Sequence, residues 1–455
     1  MTFSGISPFD YRYLRDKKLA EKVAPFLSEE ARIGYQLKVE CAVAKGLARV
    51  GACTRGVADE IIAAAAEVTA KEVYEEEDRI QHDIRALVNC IRKRLGGEAK
   101  PFVHLGVTSS DIINTADAMR YREFTGSSLL PSLLELERTL IRIARTEKAT
   151  LQIGRTHGQH AEPITFGFAL TEYVSRLGGR ILALAESAGN LRGKMSGAVG
   201  AYNALALITD NAETFEAYVL DELGLKPATH ATQIVEPEYL LDYVHCVVAA
   251  FGVIANLADD MRHLQRTELA EIGESFGDEQ VGSSTMPHKR NPVNFENVKS
   301  MWKAMMPRMI TLYADQISEH QRDLTNSASG RFVPELLAGL LVAAERMQRT
   351  MQKLAVDREQ MRRNVERSKS RIITEPLYVL LAVYGCPDAH EAVRRLTLLE
   401  KPILEALEQD AALVPYYAKF TPQQKEILEH PETYTGRAAE KTEAVCSYWE
   451  TMLSQ

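Results

Sequence analysis

The chain has 455 residues, more than one ordinary core accommodates, so about two to four domains or lobes are expected. Hydrophobic residues make up 45% and charged residues 25%, the balance of a soluble globular protein. The formal net charge of −8 argues against a general nucleic-acid binder, which needs a basic face to neutralise phosphates, but leaves room for a local basic pocket for a small anion.

The N-terminus, Met-Thr-Phe-Ser-Gly-Ile-Ser-Pro, has neither the basic region nor the apolar run of a signal peptide. No uninterrupted apolar stretch is long enough to cross a bilayer. Cys41, Cys53, Cys90, Cys246, Cys386 and Cys446 form no CxxC pair and read as buried thiols of a reducing compartment. Together these features predict a cytoplasmic protein that does not engage membranes.

In chain order, an N-terminal helical region closes at Gly96-Gly97 and Pro101. Its one charge run, Glu75-Glu76-Glu77-Asp78, reads as a solvated face. Between Ser127 and Thr150, Leu130, Leu133, Leu134, Leu136, Leu140, Ile141 and Ile143 recur at spacings of three and four, the period of a helix. Segments 165–189, 239–272, 294–317 and 335–368 repeat the pattern. They are apolar over much of their circumference, which predicts burial in a bundle. Glycines and prolines at Gly154, Gly158 and Pro163, and again at Gly282, Pro287 and Pro292, bracket two bends. After about Ser368 the helices become shorter and more polar. Alternating β-branched runs are almost absent. The expectation is therefore an all-α fold in three parts: an N-terminal domain over 1–115, a central long-helix bundle over 116–368 and a C-terminal domain over 369–455. Helices this apolar call for partners, and other subunits completing the bundle are the economical answer.

Three stretches carry chemistry. The first is Gly282-Ser283-Ser284-Thr285-Met286-Pro287-His288-Lys289-Arg290-Asn291-Pro292, followed by Glu296. Pro292 suits the first position of the next helix, whose N–H groups would then point towards the loop, and Lys289 adds full positive charge. An anion or a developing oxyanion could be held there. A mere flexible linker leaves the serine pair, the lysine and the asparagine unexplained. The second is Gly154-Arg155-Thr156-His157-Gly158-Gln159-His160, where His157 sits at a glycine-flanked bend and can act as a proton shuttle. A metal site on His157 and His160 has no HExxH motif or cysteine cluster behind it. The third joins Gln81-His82-Asp83 to His104-Leu105-Gly106-Val107-Thr108-Ser109-Ser110-Asp111.

These stretches resemble the three signature regions of the fumarase/aspartase superfamily, an all-helical, three-domain family of lyases. The resemblance implies Ser283 as general base and His157 as general acid. Glu296 would pair with a catalytic histidine, and His82 would be a second active-site histidine. Met286, Lys289 and Asn291 would surround the fumarate half of the substrate. Thr108 and Ser109 would hold a substrate carboxylate beside Gln81, Asp83 and His104. Many members carry Arg where this chain has Gln81, so Arg79 or Arg85 would have to substitute. Residue types alone do not choose between Ser283 and Ser284; the resemblance chooses the first.

Elsewhere the chain resembles the adenylosuccinate lyase branch. Ser7-Pro8-x-Asp10-x-Arg12-Tyr13 is similar to its N-terminal turn, where Arg12 and Tyr13 would contact a nucleotide. Arg322, Ser327 and Arg331 keep its Arg-x4-Ser-x3-Arg spacing, and two guanidiniums with a hydroxyl suit a phosphate dianion. Gln233 resembles a further substrate-binding residue. The implied reaction is β-elimination of fumarate from adenylosuccinate and from the succinyl-carboxamide ribotide, without metal or redox cofactor. It would take place in a homotetramer whose sites are shared between subunits.

The rivals are a carboxymuconate cycloisomerase or argininosuccinate lyase of the same superfamily, a terpenoid synthase and a non-catalytic helical scaffold. The phosphate constellation speaks against the first two. Asp259-Asp260 hints at the magnesium motif of the synthases, but His263 stands where that motif requires Asp.

Overall fold

The computed structural model describes residues 5–275, 285–286 and 288–454. Gly282, Ser283, Ser284 and Pro287 lie outside the described residues. Among those described, helices dominate and the strands are short, which is the all-α fold expected. The chain divides into two compact units. One comprises Met1–Leu134, Gly179–Val253 and Lys299–Arg346; the other comprises Glu135–Gly178, Ile254–Val298 and Met347–Gln455.

The first unit is built around the helix Glu29–Arg49. Ser28 caps its N-terminus by accepting from the Ala31 N–H, and Glu29 and Glu30 complement the dipole of its first turn. Val39, Val43 and Leu47 are completely buried against the helices Arg55–Ala66, Ser109–Phe124 and Ala212–Glu222. The last of these comes so close that a Cβ on Gly46 would lie 2.6 Å from Val219 and 2.7 Å from Phe215. The helix expected from Ser127 begins as a π-helical turn, Thr125–Leu129, continuing the helix Ser109–Phe124. Buried Thr125 bonds there to the Tyr121 carbonyl and to the Tyr243 hydroxyl, both at 2.7 Å.

In the second unit the helices Thr374–Val383, Ala389–Leu396 and Ile403–Gln409 close over Leu377, Leu381, Val393, Leu396 and Leu407. The helix Ala438–Leu453 lays Trp449 on Gly178, where a Cβ would stand 2.4 Å from the indole ring.

Three expected long helices are shorter than their apolar pattern. The helix expected over 294–317 stops at Met305 and resumes at Arg308, because Pro307 interrupts it. The helix over 335–368 runs as Val333–Gln352 and restarts as Arg358–Glu366, with Asp357 capping the restart. The helix over 239–272 is Pro237–Leu264; beyond it the chain turns through Ala270, at φ +53°, to deliver Glu271 into a buried polar cluster. Pro237–Leu264 and the stretch Ser327–Gln352 are long and apolar enough, by length and composition, to cross a membrane, contrary to the expectation that none would be. More than half of each is buried inside the protein, as in a core helix.

Candidate active site

His157 owes its position to a hairpin that the sequence pattern did not reveal. Strands Leu151–Thr156 and Gln159–Thr165 pair antiparallel, with Thr156 opposite Gln159. The two-residue connection is His157-Gly158, at φ +53° and +73°. Positive φ at both central positions is the requirement of a type I′ hairpin turn, which Gly meets freely and His meets under strain. The histidine therefore stands exposed at the hairpin tip. The root of the hairpin is fixed by fully buried Glu271, which accepts from Gln152 Nε2 at 2.8 Å, from Arg155 and from Asn364 Nδ2 at 2.9 Å. His160 is occupied structurally: its Nδ1 lies 2.6 Å from the Ser368 hydroxyl.

In the same unit, Met286, Lys289 and Glu296 are exposed and Asn291 is half-buried. Lys289 N–H donates to the Met286 carbonyl at 3.0 Å. The helix Val293–Met305 does not offer its first N–H groups to a ligand. Glu274 takes those of Asn294 and Phe295 at 2.9 and 3.0 Å, and the Asn294 side chain at 2.7 Å. Burial raises the Glu274 pKa above the ordinary carboxylate range, although these three donors work in the opposite direction. Gln265 ties the same region together, accepting from Glu274 N–H and donating to the Arg290 carbonyl. Within one chain no hydrogen bond joins the exposed side chains of His157 and Glu296, and Ser283 lies outside the described residues.

The first unit carries the remaining candidates. Gln81 ends the helix Ala70–Ile80 in a left-handed conformation, and His82 caps the helix Asp83–Arg92 by accepting from the Arg85 N–H at 3.3 Å. Asp83 lies 3.5 Å from His82 Nδ1. Arg79 is engaged by Glu76 at 2.7 Å, whereas Arg85 is exposed. Thr108 and Ser109 open the helix Ser109–Phe124 through a capping box closed by Asp111. His104, at φ +62°, places Nδ1 2.6 Å from Glu40 Oε1. Arg12 is exposed and Tyr13 packs on Phe9 with ring centroids 5.4 Å apart. Their turn is anchored by Ser7, which donates to Glu335 at 2.6 Å.

The arginine pair of the phosphate motif is split in this structure. Ser327 and Arg331 are exposed, at the first position and the C-cap of the short helix Ser327–Gly330. Arg322, at φ +108°, turns into a cavity of about 100 Å³ lined by Asn114, Asp117, Arg192, Glu236 and Asp315. Its Nη1 donates to the Asp315 carbonyl at 2.9 Å, while Nε and Nη2 are buried without a partner among the described residues. Gln233 joins this neighbourhood through its N–H to the Gln321 carbonyl at 3.3 Å.

Lys194 and Asp111 were missed as functional candidates. Asp111 accepts from Lys194, from the Thr108 N–H at 2.8 Å and from the N–H groups of Ser196 and Gly197. One buried carboxylate thus binds the Thr108-Ser109 segment to the Ser196–Gly200 loop. The only trace in the sequence is an acidic residue three positions after Thr108, the capping-box spacing. Asp259 and Asp260, the aspartates of the magnesium reading, are engaged by Arg262 and by the Tyr173 hydroxyl respectively.

Residues 14–306 match the family model for lyases, and residues 318–434 match that for the adenylosuccinate lyase C-terminal region. Two solved structures share the fold at a TM-score of 0.82. A fumarate lyase from Mesorhizobium is 22% identical, with 95% of this chain and 98% of that one covered. A 3-carboxy-cis,cis-muconate lactonizing enzyme from Pseudomonas putida is 23% identical, covering 97% and 99%. Among curated proteins, the adenylosuccinate lyase of Pyrococcus abyssi is 35% identical over 98% of this chain and 99% of its own length. That of Bacillus subtilis is 29% identical over 92% of each. The helical fold and the lyase match define the class as the fumarase/aspartase lyases. Within that class, the chain belongs to the adenylosuccinate lyase family.

Proposed function

We propose that the chain catalyses β-elimination of fumarate from adenylosuccinate, giving AMP, and from the succinyl-aminoimidazole-carboxamide ribotide, giving its free carboxamide. The observation that carries this reading is the match to the adenylosuccinate lyase C-terminal region over 318–434, the stretch that contains Arg322, Ser327 and Arg331. Carboxymuconate has no phosphate for these residues to hold.

In this mechanism Ser283, as alkoxide, takes a proton from the carbon next to a succinyl carboxylate. The electron pair moves into that carboxylate, and the aci-carboxylate is stabilised by Lys289 and Asn291. The C–N bond then breaks and His157, oriented by Glu296, protonates the departing nitrogen. Thr108 and Ser109 hold the second carboxylate; Arg12, Tyr13 and Gln233 hold the nucleotide; Arg322, Ser327 and Arg331 hold its phosphate. Arg85 supplies the charge that Gln81 lacks, since Arg79 is already paired. No metal or redox cofactor takes part. The working form is a cytoplasmic homotetramer in which different chains contribute the signature regions to each site, in keeping with the exposure of His157, Lys289, Glu296 and Arg331 in the single chain.

The test offers adenylosuccinate, argininosuccinate and carboxymuconate separately and follows ultraviolet absorbance, as fumarate release from the first two and as loss of the conjugated diene from the third. Adenylosuccinate alone should be turned over. Fumarate from argininosuccinate and none from adenylosuccinate would replace this reading with the rival one.

A further inference from the structure

We propose that Glu40 is a positioning residue of the active site, holding the His104 imidazole through Nδ1 so that Nε2–H is presented to an anionic group of the substrate. Nothing in the signature regions marks Glu40, which lies far from them in sequence, in the middle of the helix Glu29–Arg49. Its place in the core is abnormal for a carboxylate. It is 1% exposed and shares the buried face with Val39, Val43 and Leu47. A charge in that setting is costly unless paired. Its Oε1 lies 2.6 Å from His104 Nδ1, the distance of a charge-assisted hydrogen bond.

The segment it meets is fixed at several points. His104 itself is left-handed, at φ +62°, and Gly106 follows at φ +81°. A Cβ on Gly106 would stand 2.8 Å from Leu205 and 3.0 Å from Ile208. Four residues after His104, the Thr108 N–H is fixed by Asp111. The imidazole keeps 19% of its surface exposed. With Nδ1 committed to Glu40, Nε2 is the nitrogen that can reach a ligand.

The charged groups facing the ring are Glu40 from the helix Glu29–Arg49, Asp111 from Ser109–Phe124 and Arg85 from Asp83–Arg92. Burial disfavours the cation and so does Arg85, but the two carboxylates outweigh them, so the His104 pKa lies above its ordinary value. The ring then keeps its charge to a higher pH than an ordinary histidine and loses it as pH rises through the raised value. Removing Glu40's charge moves the loss to lower pH.

The kinetic half of the test rests on the proposed elimination of fumarate; the spectroscopic half does not. The protein is prepared with isotope-labelled histidine and titrated by NMR, the His104 signals being assigned by their disappearance in His104→Gln. Glu40→Gln keeps an acceptor and removes the charge. The titration midpoint of His104 should fall by about one to three pH units. In parallel, kcat/KM for adenylosuccinate should lose about tenfold or more on the alkaline side and converge with wild type on the acid side. Glu40→Asp should restore part of the profile. A mere staple between helix and loop would give equal losses at every pH. Such parallel profiles, or an unmoved His104 midpoint, overturn the proposal. A wild-type protein that makes no fumarate sinks the substrate reading instead, and the NMR shift still decides the pairing.

Discussion

Lys194 and Asp111 form an ion pair in which both side chains are fully shielded from solvent. Lys194 also donates to the Gly197 carbonyl at 3.1 Å, and Asp111 accepts three backbone N–H groups besides. A buried pair adds little stability over an apolar replacement, but breaking one side of it strands the other charge. Lys194→Met should therefore cost roughly 3–5 kcal/mol in denaturant unfolding. The double variant Lys194→Met, Asp111→Asn should lose less than the sum of the two single changes. Additive losses would show that the pair is not coupled.

The hairpin tip holds His157 in a left-handed conformation, at φ +53°. A non-glycine residue in the left-handed region costs about 1 kcal/mol or more. His157→Gly should raise the melting temperature slightly and abolish turnover. An active His157→Gly protein would remove His157 from the chemistry. Mixing His157→Ala with Ser283→Ala protein should recover part of the activity through hybrid sites. No recovery despite proven subunit exchange would argue that each site draws both residues from one chain.

Arg331→Ala should weaken nucleotide binding by roughly 1.5–3 kcal/mol, the value of a hydrogen bond to a charged group. Lysine should restore only part of it, lacking the planar fork. A Michaelis constant and rate left intact by Arg331→Ala would displace the phosphate from this position.

Glu137 is completely buried, and neither carboxylate oxygen has a partner among the described residues. Burial pushes its pKa up to about 9. The folded state then holds this proton over a range where the unfolded chain, titrating near 4.5, releases it. The stability it contributes is complete below the unfolded pKa and declines as pH rises towards the folded one. Glu137→Gln cancels that decline. The melting temperature of Glu137→Gln relative to wild type should rise steadily from about pH 5 to about pH 9. A constant difference would mean that Glu137 does not titrate in this interval.

Much of the fold was legible because Leu130, Leu133, Leu140 and their counterparts repeat at the helical period. What was lost was local. The apolar pattern ran through Pro307 without registering that its ring stops a helix. It ran past Leu264 because Glu271, drawn out of the helix by Gln152, Arg155 and Asn364, declares its partners only in three dimensions. The His157-Gly158 turn does carry a local signal, a glycine at the second of two turn positions, but the flanking strands lack β-branched alternation. Candidate site residues could be read where they sit in contiguous motifs. Glu40, Lys194 and Glu274 could not, since each acts on a motif from a distant segment and a buried charge looks like any other in sequence.

The most direct test of the central claim pairs turnover with binding for Ser283→Ala. Wild-type protein should convert adenylosuccinate to equal amounts of AMP and fumarate. Ser283→Ala should bind adenylosuccinate by calorimetry with nearly unchanged affinity and release no fumarate, because the hydroxyl acts in the transition state. A Ser283→Ala protein that turns over at the wild-type rate would contradict the account.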